Sequence, residues 1–338
     1  FMLDVINGFK TIFPIPLGQG ATFEPELSEK CAAVAAKEAA VSGLHVTFAP
    51  MTDLVRDARW GRVMESTGED PYLNGLFCAG MVRGFQGDDL KEPYKIASCV
   101  KHFAGYGAPT AGRDYNTVEL SEHTFRDFYL PSYKAGIDAG AAMVMTSFNT
   151  VNGVPATGNK KLMRGILRDE MGFDGVLISD WAAIEEIIYH GYCADREEAA
   201  VRSAEAGVDI DMMTGIYCEN LCRLVREGKI SEEEYRREVC KKIGREVTFE
   251  ELQHCWLGYM KEIPERNLVT LRNLKKEGYR GILRCNSTPY VSAWVDSEAF
   301  SADGHPIGDY FDAMYRSYEV KYMKPDENFF RYVLSQEQ

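Results

Sequence analysis

Along roughly the first 240 residues, short apolar runs alternate with longer stretches in which apolar residues recur at helical spacing. Pro25 to Ser42 is alanine-rich and predicts a helix, with Gly43 suited to the left-handed position that closes it. Leu44 to Ala49 follows as a short apolar strand, and Ile96 to Phe103 as another. A helix is expected from Ser121 to Ala139, a strand from Ala141 to Phe148, a helix from Lys160 to Met171, and a strand from Gly175 to Ser179. Asp195 with Glu198 makes a capping box for a helix ending near Gly207, and Val208 to Met212 is the last strand of the set. Ser231 with Glu234 starts a further helix toward Ile243. Beyond this point the texture changes. Thr248 with Glu251 caps a helix, and Pro264 to Glu277 is a charged helix. Gly281 to Cys285 is a strand, a helix near Tyr290 to Phe300 follows, and Tyr318 to Lys324 leads to a final helix from Pro325.

The strands of the first part are nearly continuous apolar runs, as expected where helices cover both faces of a parallel sheet. Polar residues cluster just past their C-terminal ends: Asp53, Lys101 with His102, Asn149 and Asp180. In a (β/α)₈ barrel that rim carries the active site. A doubly wound open sheet fits the same alternation, but no glycine-rich phosphate loop follows any strand.

Composition narrows the function classes. A net charge of −13 argues against nucleic acid as a partner. Nine cysteines, an odd number with no Cys-x-x-Cys pair, read as free thiols in a reducing compartment, so the expected location is cytoplasmic. Cys218 and Cys222 have metal-ligand spacing, but no nearby His or second Cys pair completes a site, so neither a metal nor a cofactor is expected. No apolar run is long enough to span a membrane. Nothing sets the oligomeric state. The chain opens on Phe1-Met2-Leu3-Asp4, which reads as the tail of a strand and leads us to expect a fold incomplete at its N-terminus.

Three segments carry chemistry. Asp53 to Leu73 is rich in Arg, Asp and Glu around Arg59-Trp60-Gly61-Arg62; it suits either a salt-bridged surface loop or a site where guanidinium forks and an indole meet sugar hydroxyls and a ring. Lys101 and His102, side by side at a strand end, could donate to adjacent hydroxyls, or be a surface lysine and a satisfied core histidine. Asp180, before Trp181, is placed to attack an anomeric carbon or to cap the turn that follows.

In order and spacing these segments resemble the barrel domain of glycoside hydrolase family 3 (β-glucosidase-like), over about residues 1–243. The resemblance is carried by TIFPIPLG (Thr11 to Gly18), RDARWGRVMESTGEDPYL (Arg56 to Leu73), VKHFAGYG (Val100 to Gly107), GRDYNTV (Gly112 to Val118), NGVPAT (Asn152 to Thr157) and GFDGVLISDW (Gly172 to Trp181). It implies an α/β fold, a (β/α)₈ TIM-like barrel, and retaining hydrolysis of β-glucosides or similar β-glycosides. It implies Asp180 as the nucleophile, Asp4, Arg62, Lys101 and His102 gripping the glycone, and Trp181 lining the pocket. A small carbohydrate is then the partner. Retention needs a second carboxyl roughly 5 Å from the first. In two-domain members that acid/base comes from a following domain, and in single-domain relatives from an Asp-His pair; here no His adjoins Asp114, and no acid/base is assigned. The alternative is therefore a catalytically impaired sugar-binding fragment.

Residues 248–338 resemble a small α/β fragment of a haloacid dehalogenase-like hydrolase, through EELQHCWLGYM (Glu250 to Met260), ILRCNSTPY (Ile282 to Tyr290) and SYEVKYMKPDENFFRYVL (Ser317 to Leu334). Lys324 matches that superfamily's lysine and Cys285 replaces the usual Ser or Thr, while the Asp-x-Asp nucleophile motif is absent. The expectation is a chimera joined near residues 243–247.

Overall fold

Five parallel strands lie side by side in chain order: β1 (Met2–Leu3), β2 (Val46–Thr47), β3 (Ala97–Phe103), β4 (Met143–Thr146) and β5 (Val176–Ile178). Ile210 adds a parallel bridge to Ile178 at the far edge. This computed structural model describes residues 1–228, 231–243, 246–257 and 265–337, in two units, Phe1–Tyr217 and Cys218–Gln338.

The strands are shorter than their apolar runs, and the causes are local. Pro50 has no N–H to give to a ladder, so β2 stops after Thr47; pairing resumes as a bridge between Met51 and Lys101. The run Val208 to Met212 is reduced to its bridge at Ile210 because the Asp209 carboxylate takes over a rung. Its Oδ2 accepts from the Leu177 N–H at 2.8 Å and from Arg168 Nη2 at 2.9 Å.

Two helices cover β1–β3 on one side: α1 (Pro25–Val41) and α2 (Pro71–Gln86). Asp70 caps α2 by accepting the Leu73 N–H at 2.7 Å. Ala32, Ala35, Ala36 and Ala39 of α1 are buried against Met81 and Phe85 of α2, with Val5 and Ile96 beneath them. Small side chains on both helices let them approach closely. A Cβ built on Gly84 would lie 2.3 Å from the Glu29 carbonyl oxygen and 2.7 Å from Ala32 Cβ.

The single helix expected over 121–139 is broken. Segments Glu122–Thr124 and Phe125–Tyr129 lead into α3 (Pro131–Asp138), and the Leu130 N–H reaches five residues back to the Phe125 carbonyl at 3.2 Å. Pro131 is the reason, since it removes a helical donor and its ring displaces the preceding turn. After α4 (Lys161–Glu170), which is wound as a π-helix, the helices α5 (Ala183–Tyr189) and α6 (Arg196–Ala206) complete the layer. Asp195 caps α6 by accepting the Glu198 N–H at 2.9 Å, and Glu198 reaches back to the Ala194 N–H at 2.9 Å; Gly207 closes the helix at φ 98°.

In the second unit, Thr248 and Glu251 cap Phe249–Leu257 reciprocally, at 3.0 and 3.2 Å. The Glu234 side chain, and with it the expected Ser231 box, lies outside the described residues. Strands β6 (Ile282–Cys285) and β7 (Ala313–Arg316) pair in parallel. The element expected at 318–324 is instead β7 followed by a helical turn, Ser317–Val320, and the final helix is Glu327–Gln336. Cys31, Cys78, Cys99, Cys193, Cys218, Cys240 and Cys285 are free thiols, and the side chain of Cys222 lies outside the described residues. Among the described residues no helix is long and apolar enough to cross a membrane.

Candidate active site

Each parallel strand delivers a polar residue to the same edge of the sheet, because parallel strands share one direction. Asp4 follows β1, Asp53 lies beyond β2, Lys101 and His102 end β3, Asn149 lies beyond β4, and Asp180 lies beyond β5. The peptides Lys101–His102 and Phe103–Ala104 are both cis.

Asp180 is nearly buried. Its Oδ1 accepts the Trp181 N–H at 2.7 Å. Its Oδ2 is shielded from solvent and accepts no hydrogen bond, although His102 Nε2 lies 3.4 Å away. A carboxylate oxygen in this state costs free energy unless a ligand uses it. Asn149 Oδ1 and Ser147 Oγ, past β4, are buried without partners as well.

Lys101 is only 5% exposed at its side chain and donates from Nζ to Asp4 Oδ1 at 2.5 Å, while the Asp4 side chain is 57% exposed. Burial holds the Cys99 thiol well above its ordinary range; the positive charge of Lys101 lowers it, while the negative charges of Asp180 and Asp4 add to the rise. Arg62 holds Glu65 in a bidentate pair, 2.7 and 2.9 Å, and its guanidinium sits 5.6 Å from the centre of the Tyr106 ring. Tyr106 in turn packs edge-on against His102, 5.2 Å between centroids. The structure therefore groups Asp180, His102, Lys101, Asp4 and Arg62. Trp181 is tied to Asp180 through its backbone, and the residue is 57% exposed. Trp60 is elsewhere in role: it is 1% exposed, donates from Nε1 to Asp114 at 3.0 Å and packs on Tyr106, so its indole face belongs to the core and not to a sugar.

Three residues that the sequence analysis did not assign to the site shape it. Asp53 is fully buried under His102. Its Oδ2 lies 2.7 Å from His102 Nδ1 and accepts the His102 backbone N–H at 3.1 Å. Burial raises its carboxyl, against the lowering pull of Tyr133, the His102 N–H, Arg62 and Lys101. Tyr133 of α3 reaches both Asp53 and the His102 carbonyl oxygen, at 2.7 and 2.5 Å. Nothing in the local sequence marks it, since it lies 80 residues from Asp53. Glu186 of α5 is half-buried, and burial with the negative charge of Asp180 lifts its carboxyl to about 7. Its position six residues after Asp180, on the helix that Asp180 leads into, was the available signal. His102 is shifted the other way: burial in a low-dielectric site holds the ring neutral.

Comparison with known proteins sets this chain in a family. The model of the glycosyl hydrolase family 3 N-terminal domain matches residues 2–243. A periplasmic β-glucosidase of Salmonella typhimurium is 44% identical over 231 residues, covering 68% of this chain and 30% of that protein. A putative β-xylosidase of Formosa agariphila is 37% identical over 63% of this chain and 29% of its own length. Among solved structures, the β-glucosidase of Listeria innocua in complex with isofagomine superposes with a TM-score of 0.70 at 55% identity, over 71% of this chain and 34% of that one. The chain thus spans about a third of the length of the relatives it matches. Its parallel α/β unit has the TIM-like barrel architecture of those β-glucosidases. Over residues 2–243 the chain belongs to glycosyl hydrolase family 3 and contains that family's N-terminal domain.

Proposed function

We propose that the chain carries the nucleophile half of a retaining β-glycosidase acting on β-glucosides or similar β-glycosides, with Asp180 as the attacking carboxylate. The observation that supports this most strongly is the state of Asp180: one oxygen anchored by a backbone N–H, the other buried, unbonded and 3.4 Å from His102 Nε2. In this reading Asp180 Oδ2 bonds to the anomeric carbon as the aglycone leaves with the bond electrons, and water later releases the glycosyl ester. Lys101, His102, Asp4 and Arg62 contact glycone hydroxyls, and the exposed Trp181 lines the entrance. The β-glucosidases and β-xylosidases among its relatives support a small carbohydrate as the substrate class.

A second reading, a sugar-binding fragment with impaired turnover, is favoured by the state of two carboxyls near the site: Asp114 accepts from Trp60 Nε1 and Glu65 is clamped by Arg62. The haloacid dehalogenase-like reading of residues 248–338, and a chimeric join before them, draws no support from the comparisons, and we assign that part no activity. The two barrel readings separate with a 2-deoxy-2-fluoro glucoside bearing an activated leaving group, which needs no acid. A mass gain mapped to Asp180 is the expected result. Absence of label, where a β-glucosidase of the same family is labelled, would leave only sugar binding.

A further inference from the structure

Resting on the assignment of Asp180 as nucleophile, we infer that Asp53 and Tyr133 are positioning residues that lock His102 as the Nδ1–H tautomer, so that its Nε2 meets the sugar as a hydrogen-bond acceptor and leaves Asp180 unbonded. Asp53 Oδ2 takes the His102 backbone N–H, which can only donate, at 3.1 Å, and sits 2.7 Å from Nδ1. An oxygen already facing one N–H is an acceptor, so the Nδ1 position must supply the second proton. The neutral ring carries one N–H, and the lone pair is then left on Nε2.

Tyr133 makes the arrangement independent of the charge on Asp53. Its hydroxyl has one proton and two close neighbours, the His102 carbonyl oxygen at 2.5 Å and Asp53 Oδ1 at 2.7 Å. The carbonyl can only accept. When Asp53 is ionised, the single proton is shared between the two acceptors. When Asp53 is neutral, its proton stays on Oδ1 and is donated as a hydrogen bond to Tyr133 Oη, whose own O–H donates to the carbonyl oxygen. In both states Oδ2 stays an acceptor toward His102. The carboxyl titrates near 6, so both states are met within the ordinary working range. The other charged or ionisable groups acting on this pair are Asp180, Arg62, Lys101, Glu65 and, behind Tyr133, Cys78.

The consequence reaches Asp180. A lone pair on Nε2 and a lone pair on Asp180 Oδ2, 3.4 Å apart, do not bond, which agrees with the unpartnered state of that oxygen. The opposite tautomer would donate to Oδ2 and weaken that oxygen as a nucleophile. The side-by-side Lys101 and His102 are then a donor and an acceptor, not two donors.

The test uses the full chain with ¹⁵N-labelled histidines, His102 being assigned by the signal lost in His102→Gln. We expect the Nδ1 shift in the protonated range and the Nε2 shift in the unprotonated range at pH 5 and at pH 8. Asp53→Asn should keep this tautomer and the labelling rate of Asp180 within about threefold, because its amide oxygen can replace Oδ2 and its NH₂ the protonated Oδ1. Asp53→Ala should mix the tautomers and slow labelling about tenfold, the worth of one lost hydrogen bond near 1.4 kcal/mol. An Nε2–H tautomer in the wild type, or a flip in Asp53→Asn, overturns the inference. If no variant is labelled while the tautomer is as stated, the assignment of Asp180 fails and the lock stands.

Discussion

Replacing Gly84 by alanine should destabilise the barrel unit, although alanine is the better helix former. The new Cβ would sit 2.3 Å from the Glu29 carbonyl oxygen and 2.7 Å from Ala32 Cβ. That is about 1 Å inside a normal carbon–oxygen contact of ~3.5 Å. Both obstacles belong to α1, whose backbone is held by its own hydrogen bonds, so no flexible side-chain end can yield. The helices must separate and lose contact along the alanine face of α1. Overpacking of this kind costs about 1–3 kcal/mol; we take the upper end, about 3, because the clash is with backbone. The helix-propensity gain of glycine to alanine returns about 1 kcal/mol. The net loss is about 2 kcal/mol, or a melting point lower by about 4–8 °C for a unit of this size. Thermal and urea unfolding followed by circular dichroism measure it. Gly165→Ala is the control: it lies in α4 with nothing within 4 Å of the added carbon, and should gain up to about 1 kcal/mol. If Gly84→Ala unfolds at or above the wild-type midpoint while Gly165→Ala behaves as stated, the close-packed α1–α2 contact is wrong.

Two further outcomes follow from the site. Lys101→Met should slow labelling of Asp180 about 10- to 150-fold, the range of a lost charged hydrogen bond, yet move the unfolding midpoint little, because Asp4 is more than half exposed and regains water; equal losses in both assays would make Lys101 a structural residue. Glu186 has a carboxyl raised in the fold to about 7, against about 4.3 when unfolded. Its contribution to stability is therefore fully present below pH ~4.3 and is lost as pH rises through about 7. Glu186→Gln should gain on the wild type in urea midpoint between pH 5 and pH 8, and an unchanged gap would place Glu186 in ordinary solvent.

The candidate site residues legible in the sequence are those tied to a strand end. Lys101, His102 and Asp180 follow apolar runs directly, so their place on one rim could be read from periodicity alone. Asp53 was legible as a rim residue but not as the support of His102, because that contact spans 49 residues. Tyr133 was illegible for the same reason, and because Pro131 resets the helix that carries it. Arg62 and Trp60 are neighbours in sequence with different fates. One reaches Glu65 and the Tyr106 ring near His102, while the other is sealed into the core, and only packing around Tyr106 distinguishes them. Strand lengths were overestimated where Pro50 and Asp209 interrupt the ladder, since an apolar run records burial and not hydrogen bonding.

The chain-order arrangement of the sheet has an evolutionary consequence. Asp4, Asp53, Lys101, Asn149 and Asp180 each arrive on a separate strand, so each wall of the site is held by its own strand–helix repeat. Variation in one connecting loop can then alter one position of the rim while Asp180 and the residues packed around it stay anchored in other repeats. Successive single-loop changes can thus remodel the rim one wall at a time, without unfolding the sheet that carries it.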